Sequence, residues 1–379
     1  MRSLRLLSFS FGLSILSVLS GTSFAAPPAP ILDQTDVFTA GRDGYHTYRI
    51  PSIIRAQSGT LLAFCEGRKN SGGDAGDIDL LLKRSTDGGR TWSAQQVLWD
   101  DADNTCGNPC PVLDATTGTI HLLLTHNLGT DREKDIVART VRGSRTVWLA
   151  RSTDHGATWT APVDITATTK LPTWTWYATG PGIGIQIQHG PHAGRLVIPC
   201  DYNADNPADP KKPLKGSHAI FSDDHGRTWQ LGGTLAPGMN ECQVAELFDA
   251  RGTLLMDMRS YLGRSLRAQA TSTDGGKTWT TPTDAPALIE PICQASLLRH
   301  DTAQLLLFSN PADKKQRVNL TVRASADNAQ TWREVAVLHA GPAAYSSLVA
   351  LSATEAGCLY ERGEKRTYEK ITFARFAVK

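Results

Sequence analysis

Five copies of one short pattern, S-x-D-x-G-x-T-W, limit what this chain can fold into. Residues 85–92 read STDGGRTW, 152–159 STDHGATW, 222–229 SDDHGRTW and 272–279 STDGGKTW. Residues 325–332 read SADNAQTW, the same frame with Ala329 in place of the usual glycine. Successive copies begin 67, 70, 50 and 53 residues apart, a period that belongs to propellers and solenoids. Four copies follow strand-like runs at residues 78–82, 146–149, 218–221 and 318–322, and the remaining one follows a weaker run at 265–270. The box itself reads as a turn. Its Asp accepts hydrogen bonds from amides two or three residues on, its Gly takes a positive φ, and Thr-Trp resume a strand with the indole packed beneath. A role repeated in every unit is a folding role, so Asp87, Asp154, Asp224, Asp274 and Asp327 are structural rather than catalytic.

Residues 1–25 start with Arg2 and Arg5, pass through an apolar run at 6–19 and end in Ser23-Phe24-Ala25. That is the pattern of a cleaved secretory signal peptide, and its apolar run is short for a bilayer span; an anchor helix is the alternative. Residues 26–379 number 379 − 25 = 354, more than one core usually holds, but propeller units pack only on their neighbours. Six units would average 354/6 = 59 residues, in line with the box spacing. No linker or charge block divides them. The formal charge is 39 − 37 = +2, and loss of Arg2 and Arg5 brings it to 0, so nothing points to nucleic acid or a membrane surface. In a secreted or periplasmic protein, Cys106 and Cys110 can close a disulfide across Gly107-Asn108-Pro109. The other five of the seven cysteines, Cys65, Cys200, Cys242, Cys293 and Cys358, read as small buried hydrophobes. One CxxxC pair is poor evidence for zinc, and no residue cluster calls for a metal or cofactor.

Function has to come from unlike residues outside the boxes. Tyr48-Arg49-Ile50-Pro51 opens the first strand of the fold. A buried strand at 61–65 ends in Glu66-Gly67-Arg68 and runs into a Gly-rich loop at 69–77 that carries Asp74 and Asp77. Residues 107–111 read as a tight turn ahead of a strand at 119–124. Trp174, Trp176 and Tyr177 crowd one segment, suited either to a sugar face or to packing between units. In residues 240–247, alternation puts Glu241 and Gln243 on one face and Cys242 and Val244 on the other. Arg259 ends a strand; Arg317 starts the strand into the fifth box, with Arg323 deeper in it. Tyr345 lies in GPAAYSSL at 341–348, Glu361 follows, and a last strand at 371–378 can close a ring against the N-terminal strand.

Asp boxes behind an Arg-Ile-Pro strand start resemble the sialidases, and the further motifs run in that family's order along the mature chain. The resemblance implies an all-β fold, a six-bladed β-propeller with antiparallel four-stranded blades and Asp-box turns. It implies an exo-α-sialidase that acts as a monomer, without cofactor, on sialylated glycoproteins, glycolipids or oligosaccharides. By the same resemblance Arg49, Arg259 and Arg317 hold the substrate carboxylate, for which planar, permanently charged guanidiniums are suited. The spacing of 18 from Glu241 to Arg259 is slightly long and implies a small insertion near residues 249–252. Tyr345 is then the nucleophile, a neutral group that avoids driving a carboxylate onto a carbon already bearing one. Glu241, with Glu246 as rival, takes its proton; Asp74, with Asp77 as rival, is the general acid and base. Arg68 would meet the 4-hydroxyl, Glu361 would brace Arg49, Asn108 would face the N-acetyl side and Tyr202 the glycerol chain. A trans-sialidase or intramolecular trans-sialidase would use the same residues. A non-catalytic sialoglycan-binding propeller is the alternative of another class, and hydrolysis of an aryl sialoside separates it from the enzymes.

Overall fold

The computed structural model describes residues 31–207, 209 and 212–378. The leader expected at residues 1–25 lies outside them. The described residues are all-β, interrupted by three short helical turns at Glu133–Val137, Thr166–Thr169 and Gly190–His192. Among the described residues no helix is long and apolar enough to cross a membrane. Hydrogen bonding joins the strands of the described residues into sheets of seven, five, four and eight, built of antiparallel up-and-down meanders, with one parallel bridge in the eight-stranded sheet. The chain ends meet in one of them: Ile31–Thr39 pairs antiparallel with Lys370–Ala377, with Phe38 opposite Ile371. The fold therefore begins one strand earlier than the sequence suggested, and that strand covers the edge the last strand would otherwise expose.

Within a meander, burial falls from the first strand outward. Trp174–Thr179 and Met239–Glu246 are buried at every residue, whereas Gln96–Trp99 and Thr283–Ile289 are partly exposed. Strands covered on both faces lose the apolar–polar alternation of a half-exposed sheet. The cores lie between neighbouring meanders. Cys110, Val112 and Leu123 pack with Leu196, Ile198 and Ile220 from the next one, and Val37, Ile53 and Leu61 pack with Val349, Leu359 and Phe373 from the other end of the chain. Polar side chains from different sheets meet on the loop that follows Trp174–Thr179. Gln243 and Gln294 both donate to the Pro181 carbonyl at 3.1 Å, and Ser52 donates to Gly182 O at 2.7 Å.

All five boxes close in the same way. In the first, Asp87 Oδ1 accepts from the Ser85 hydroxyl at 2.8 Å and from the amides of Arg90 and Thr91 at 3.0 Å. The accepted amides are three and four residues on, one further than expected, because two successive residues take positive φ. Gly88 and Gly89 sit at 75° and 90°, and Asn328 and Ala329 at 58° and 69°. The strand resumes after the tryptophan, not at it, with Gln96–Trp99 in the first unit. The boxes dock on their neighbours. Arg84 donates to His155 O at 3.3 Å and Arg151 to Gly226 O at 2.7 Å, each reaching the next box along the chain. A Cβ on Gly89 would lie 2.1 Å from the Phe373 ring, so only glycine lets the first box seat on the last strand.

The disulfide expectation is corrected. Cys106 and Cys110 are both free and buried, and residues 107–111 are not a turn but part of the strand Thr105–Leu113. A bulge at Gly107–Cys110, with Asn108 at φ 52°, places Cys106 and Cys110 in different cores. Two cysteines divided by their own sheet cannot bond.

Ala329 is the one box residue at its position that pays for its Cβ at positive φ. Relief of about 1–2 kcal/mol, set against about 0.4–1 kcal/mol of added unfolded-chain freedom, predicts that Ala329→Gly stabilises the fold by roughly 0.5–1 kcal/mol. The denaturant midpoint should rise; an unchanged or lower midpoint would contradict this reading of the box.

Candidate active site

A cavity of about 240 Å³ opens where the inner strands converge, and residues from segments as distant as Arg49 and Tyr368 line it. Arg49 stands on Thr47–Arg55 with its Nε donating to Glu361 Oε1 at 2.8 Å. The same carboxylate accepts the amides of Ile50 at 2.9 Å and Tyr345 at 3.1 Å. Glu361 thus lies directly behind the site and braces Arg49. Arg68, at the end of Leu61–Arg68, is forked on Glu66 Oε2 at 3.0 and 2.7 Å and pairs with Asp74 at 2.7 Å. Asp74 reaches Arg49 as well, at 3.6 Å. Partial burial works to raise the Asp74 carboxyl, but Arg68 and Arg49 outweigh it and hold the group below the usual carboxylate range.

Across the cavity, Tyr345 donates its hydroxyl to Glu241 Oε1 in a short hydrogen bond. Arg259 donates to Glu241 Oε2 at 2.6 Å and to the Tyr345 oxygen at 3.2 Å. Burial, and then the Glu241 carboxylate, push the Tyr345 phenol well above its ordinary value against the pull of Arg259 and Arg49. The phenol is neutral near neutral pH, and its proton already points at an acceptor. Arg317 has no carboxylate partner among the described residues. Its guanidinium donates to Tyr368 Oη at 2.9 Å and Ile292 O at 3.1 Å, and lies 5.8 Å from the Tyr345 ring centre. Arg259 keeps a buried Nε–H with no partner. Three guanidiniums on one cavity, Arg317 without a carboxylate among the described residues, favour an anionic ligand there. Among the described residues no group of His, Cys, Asp and Glu is arranged to hold a metal ion.

The rivals named from sequence sit elsewhere. Asp77 is paired with Lys69 at 3.1 Å. Glu246 accepts from the amides of Gln188 and His189, and Arg323 donates to Asn310. Asn108 lines the cavity, but its Oδ1 is occupied by Arg145. Tyr202 is corrected: it does not line the cavity. Its ring stacks on Trp174 at 3.8 Å within the core between meanders, where alternation along Leu196–Ala204 sends it. Of the aromatic trio, Trp176 faces the cavity, while Trp174 and Tyr177 are core.

Sequence reasoning missed Glu66, Arg145, Asp201 and Tyr368. Glu66 carried a signal: it stands two residues before Arg68 on a strand, so the two share a face, and it also accepts the Asn108 amide at 2.9 Å. A Cβ on Gly107 would lie 2.3 Å from Glu66 Oε1, which explains a glycine in that strand. Arg145 gave no signal. It is buried, stacks 4.1 Å over Trp176 and donates to Thr125 Oγ1 at 2.9 Å. Its backbone is held by Lys170, whose amine donates to Ser144 Oγ, Arg145 O and Thr175 O at 2.5, 2.7 and 2.8 Å.

Lys170 has no carboxylate partner among the described residues. Burial first, and then Arg145 and Arg139, lower its ammonium from 10.5 to about 7. A cation whose folded value lies below its unfolded one opposes folding when charged. That cost is full below about pH 7 and fades as pH rises toward 10.5. Stability should therefore rise by a few kcal/mol across that window, because each tenfold change in proton affinity is worth about 1.4 kcal/mol. Lys170→Met should flatten the rise in urea-melt stability against pH, and an identical slope in the variant would refute it.

Residues 59–358 match the family model described as a BNR repeat-like domain. A sialidase of Micromonospora viridifaciens is 33% identical over 96% of this chain and 57% of its own length. Sialidase-2 of Mus musculus is 32% identical over 92% of this chain and 96% of its own. Among solved structures, a Hadza microbial sialidase superposes with a TM-score of 0.80 at 32% identity, over 91% of this chain and 68% of that one. The chain spans little more than half of the Micromonospora relative, yet nearly all of the mouse protein. With the repeated boxes, the propeller-type neighbours and this extent of identity, the chain belongs to the sialidase family.

Proposed function

We propose that this protein is an exo-α-sialidase, exported by its leader, that removes terminal sialic acid from glycoconjugates with retention on a six-bladed propeller. The blade count rests on reading two of the sheets as doubled. A single parallel bridge, Ile78 to Thr105, joins two meanders in the eight-stranded sheet. The 18-residue strand Arg333–Ala350 pairs with Val318–Ser325 through its first half and with Glu355–Arg362 through its second, so it serves two blades.

The observation that carries the functional reading is the Tyr345–Glu241–Arg259 trio beside Arg49 and Arg317. Arg49, Arg259 and Arg317 take the substrate carboxylate, which sets the anomeric carbon over the Tyr345 oxygen. Tyr345 attacks while its proton passes to Glu241 along the existing hydrogen bond, since a phenol of ordinary value about 10 is inert until a base takes its proton. Asp74 protonates the departing glycosidic oxygen and then activates water. A substrate carboxylate on Arg49 would compete with Asp74 for that guanidinium, which favours the protonated form an acid requires. Arg68 is within reach of the 4-hydroxyl, and Asn108 of the N-acetyl side.

Two experiments test this. A 3-fluorosialosyl fluoride should label the peptide that contains Tyr345, and Tyr345→Phe should take no label; mass-spectrometric mapping of the adduct to Glu241 or Asp74 would overturn the assignment. Asp74→Ala should slow cleavage of sialyllactose by about 10²–10⁴-fold and slow an aryl sialoside clearly less, because a phenolate leaves without help. Equal losses on both substrates would rule Asp74 out as the acid. Product analysis in the same assay separates free sialic acid from a transferred or anhydro product.

A further inference from the structure

We propose that Asp201 is a further substrate-binding residue, which hydrogen-bonds the exocyclic polyol arm of the sugar. The proposal rests on the sialidase reading above. Asp201 stands on Leu196–Ala204 and lines the cavity, though it is only 2% exposed. Its Oδ1 accepts from Asn240 Nδ2 at 2.9 Å. Its Oδ2 has no hydrogen-bond partner among the described residues.

The other cavity carboxylates all have a cation: Glu66 and Asp74 pair with Arg68, Glu241 with Arg259, and Glu133 with Lys215 at 3.9 Å. Asp201 alone, among the described residues, has none within ion-pair distance. A buried carboxyl without a cation is cheapest as the neutral acid, which has an O–H to donate as well as an oxygen to accept. Burial, followed by the Glu241 and Glu133 charges, pushes it the same way, against Lys215 and Arg259. The fold adds the direction. Asp201 pairs with Ala178 and Ser217 in the meander that carries none of the three carboxylate-binding arginines and no part of Tyr345. With the carboxylate on those arginines, the 4-hydroxyl at Arg68 and the N-acetyl side at Asn108, the next ring carbon, which bears the hydroxylated side chain, turns toward this wall. A neutral acid there meets hydroxyls on equal terms, donating to one and accepting from another, without placing a second negative charge beside Glu241.

The rival role is structural, with Asp201 merely holding Asn240 and thereby Glu241. Binding of the 2,3-didehydro sialic acid analogue, in its nine-carbon form and in a form truncated at carbon 7, separates the two by calorimetry. Asp201→Ala should weaken the nine-carbon ligand about tenfold or more and leave the truncated one within about twofold, while Asp201→Asn, which keeps a donor and an acceptor, stays within about threefold on both. Equal losses on both ligands, or no loss on either, would overturn the proposal. In the unaltered protein, infrared difference spectra should show a protonated carboxyl band that shifts with the nine-carbon ligand alone and is missing in Asp201→Asn. A band that ignores the ligand would count against it even if the Ala variant fails to fold. Protein that binds with this contrast but leaves an aryl sialoside intact would refute hydrolysis and still support Asp201; protein that binds neither analogue would refute both.

Discussion

One buried carboxylate, Glu361, is the clasp on which the site depends. It accepts the Arg49 guanidinium and the amides of Ile50 and Tyr345, and so ties the strand Thr47–Arg55 to the strand Arg333–Ala350. A buried guanidinium needs an opposite charge and filled hydrogen bonds, and removing one partner of such a pair typically costs several kcal/mol. Here the same atoms that answer the charge also set the distance between Arg49 and Tyr345. The two chain ends are held independently by the pairing of Ile31–Thr39 with Lys370–Ala377 and by the seating of Gly89 on Phe373, so the clasp does not have to close the fold by itself.

The cavity combines two kinds of cation. Arg68 is committed to Glu66 and Asp74, Arg49 to Glu361 and Arg259 to Glu241, whereas Arg317 meets only neutral oxygens among the described residues. The committed pairs fix geometry. The uncommitted Arg317 leaves a local positive charge in a chain with almost no net charge, which is the arrangement needed to bind an anion without a generally basic surface. The far wall is built differently. Trp176, the Arg145 that stacks on it and Asp201, which has no cation within ion-pair distance among the described residues, line that side.

Much of this was legible in the residues alone. The boxes announced a repeated β unit because a turn with two positive-φ residues and a capping Asp requires particular side chains at fixed spacing. Glu361, Arg49, Arg259, Arg317, Glu241, Asp74 and Tyr345 could be named because each stands in a segment that resembles a motif of the sialidase family. Tyr202 was misplaced, since facing the core or the cavity is a matter of one residue of register, and nothing local reports it. Cys106 and Cys110 were misread for the same reason: a bulge at Asn108 turned an apparent turn into a strand and moved the second thiol to another core.

The sequence by itself determined the repeat, the local turn chemistry and the identity of the charged groups, because these depend on neighbours within a few positions. Only the tertiary structure decided which charges meet. That Glu361 faces Arg49 across 312 residues, that Arg317 meets no carboxylate among the described residues, and that Arg145 and Asp201 reach the cavity at all depend on how the inner strands converge. Convergence is set by packing between meanders and by bulges that redirect single side chains, and neither leaves a periodic trace in the chain.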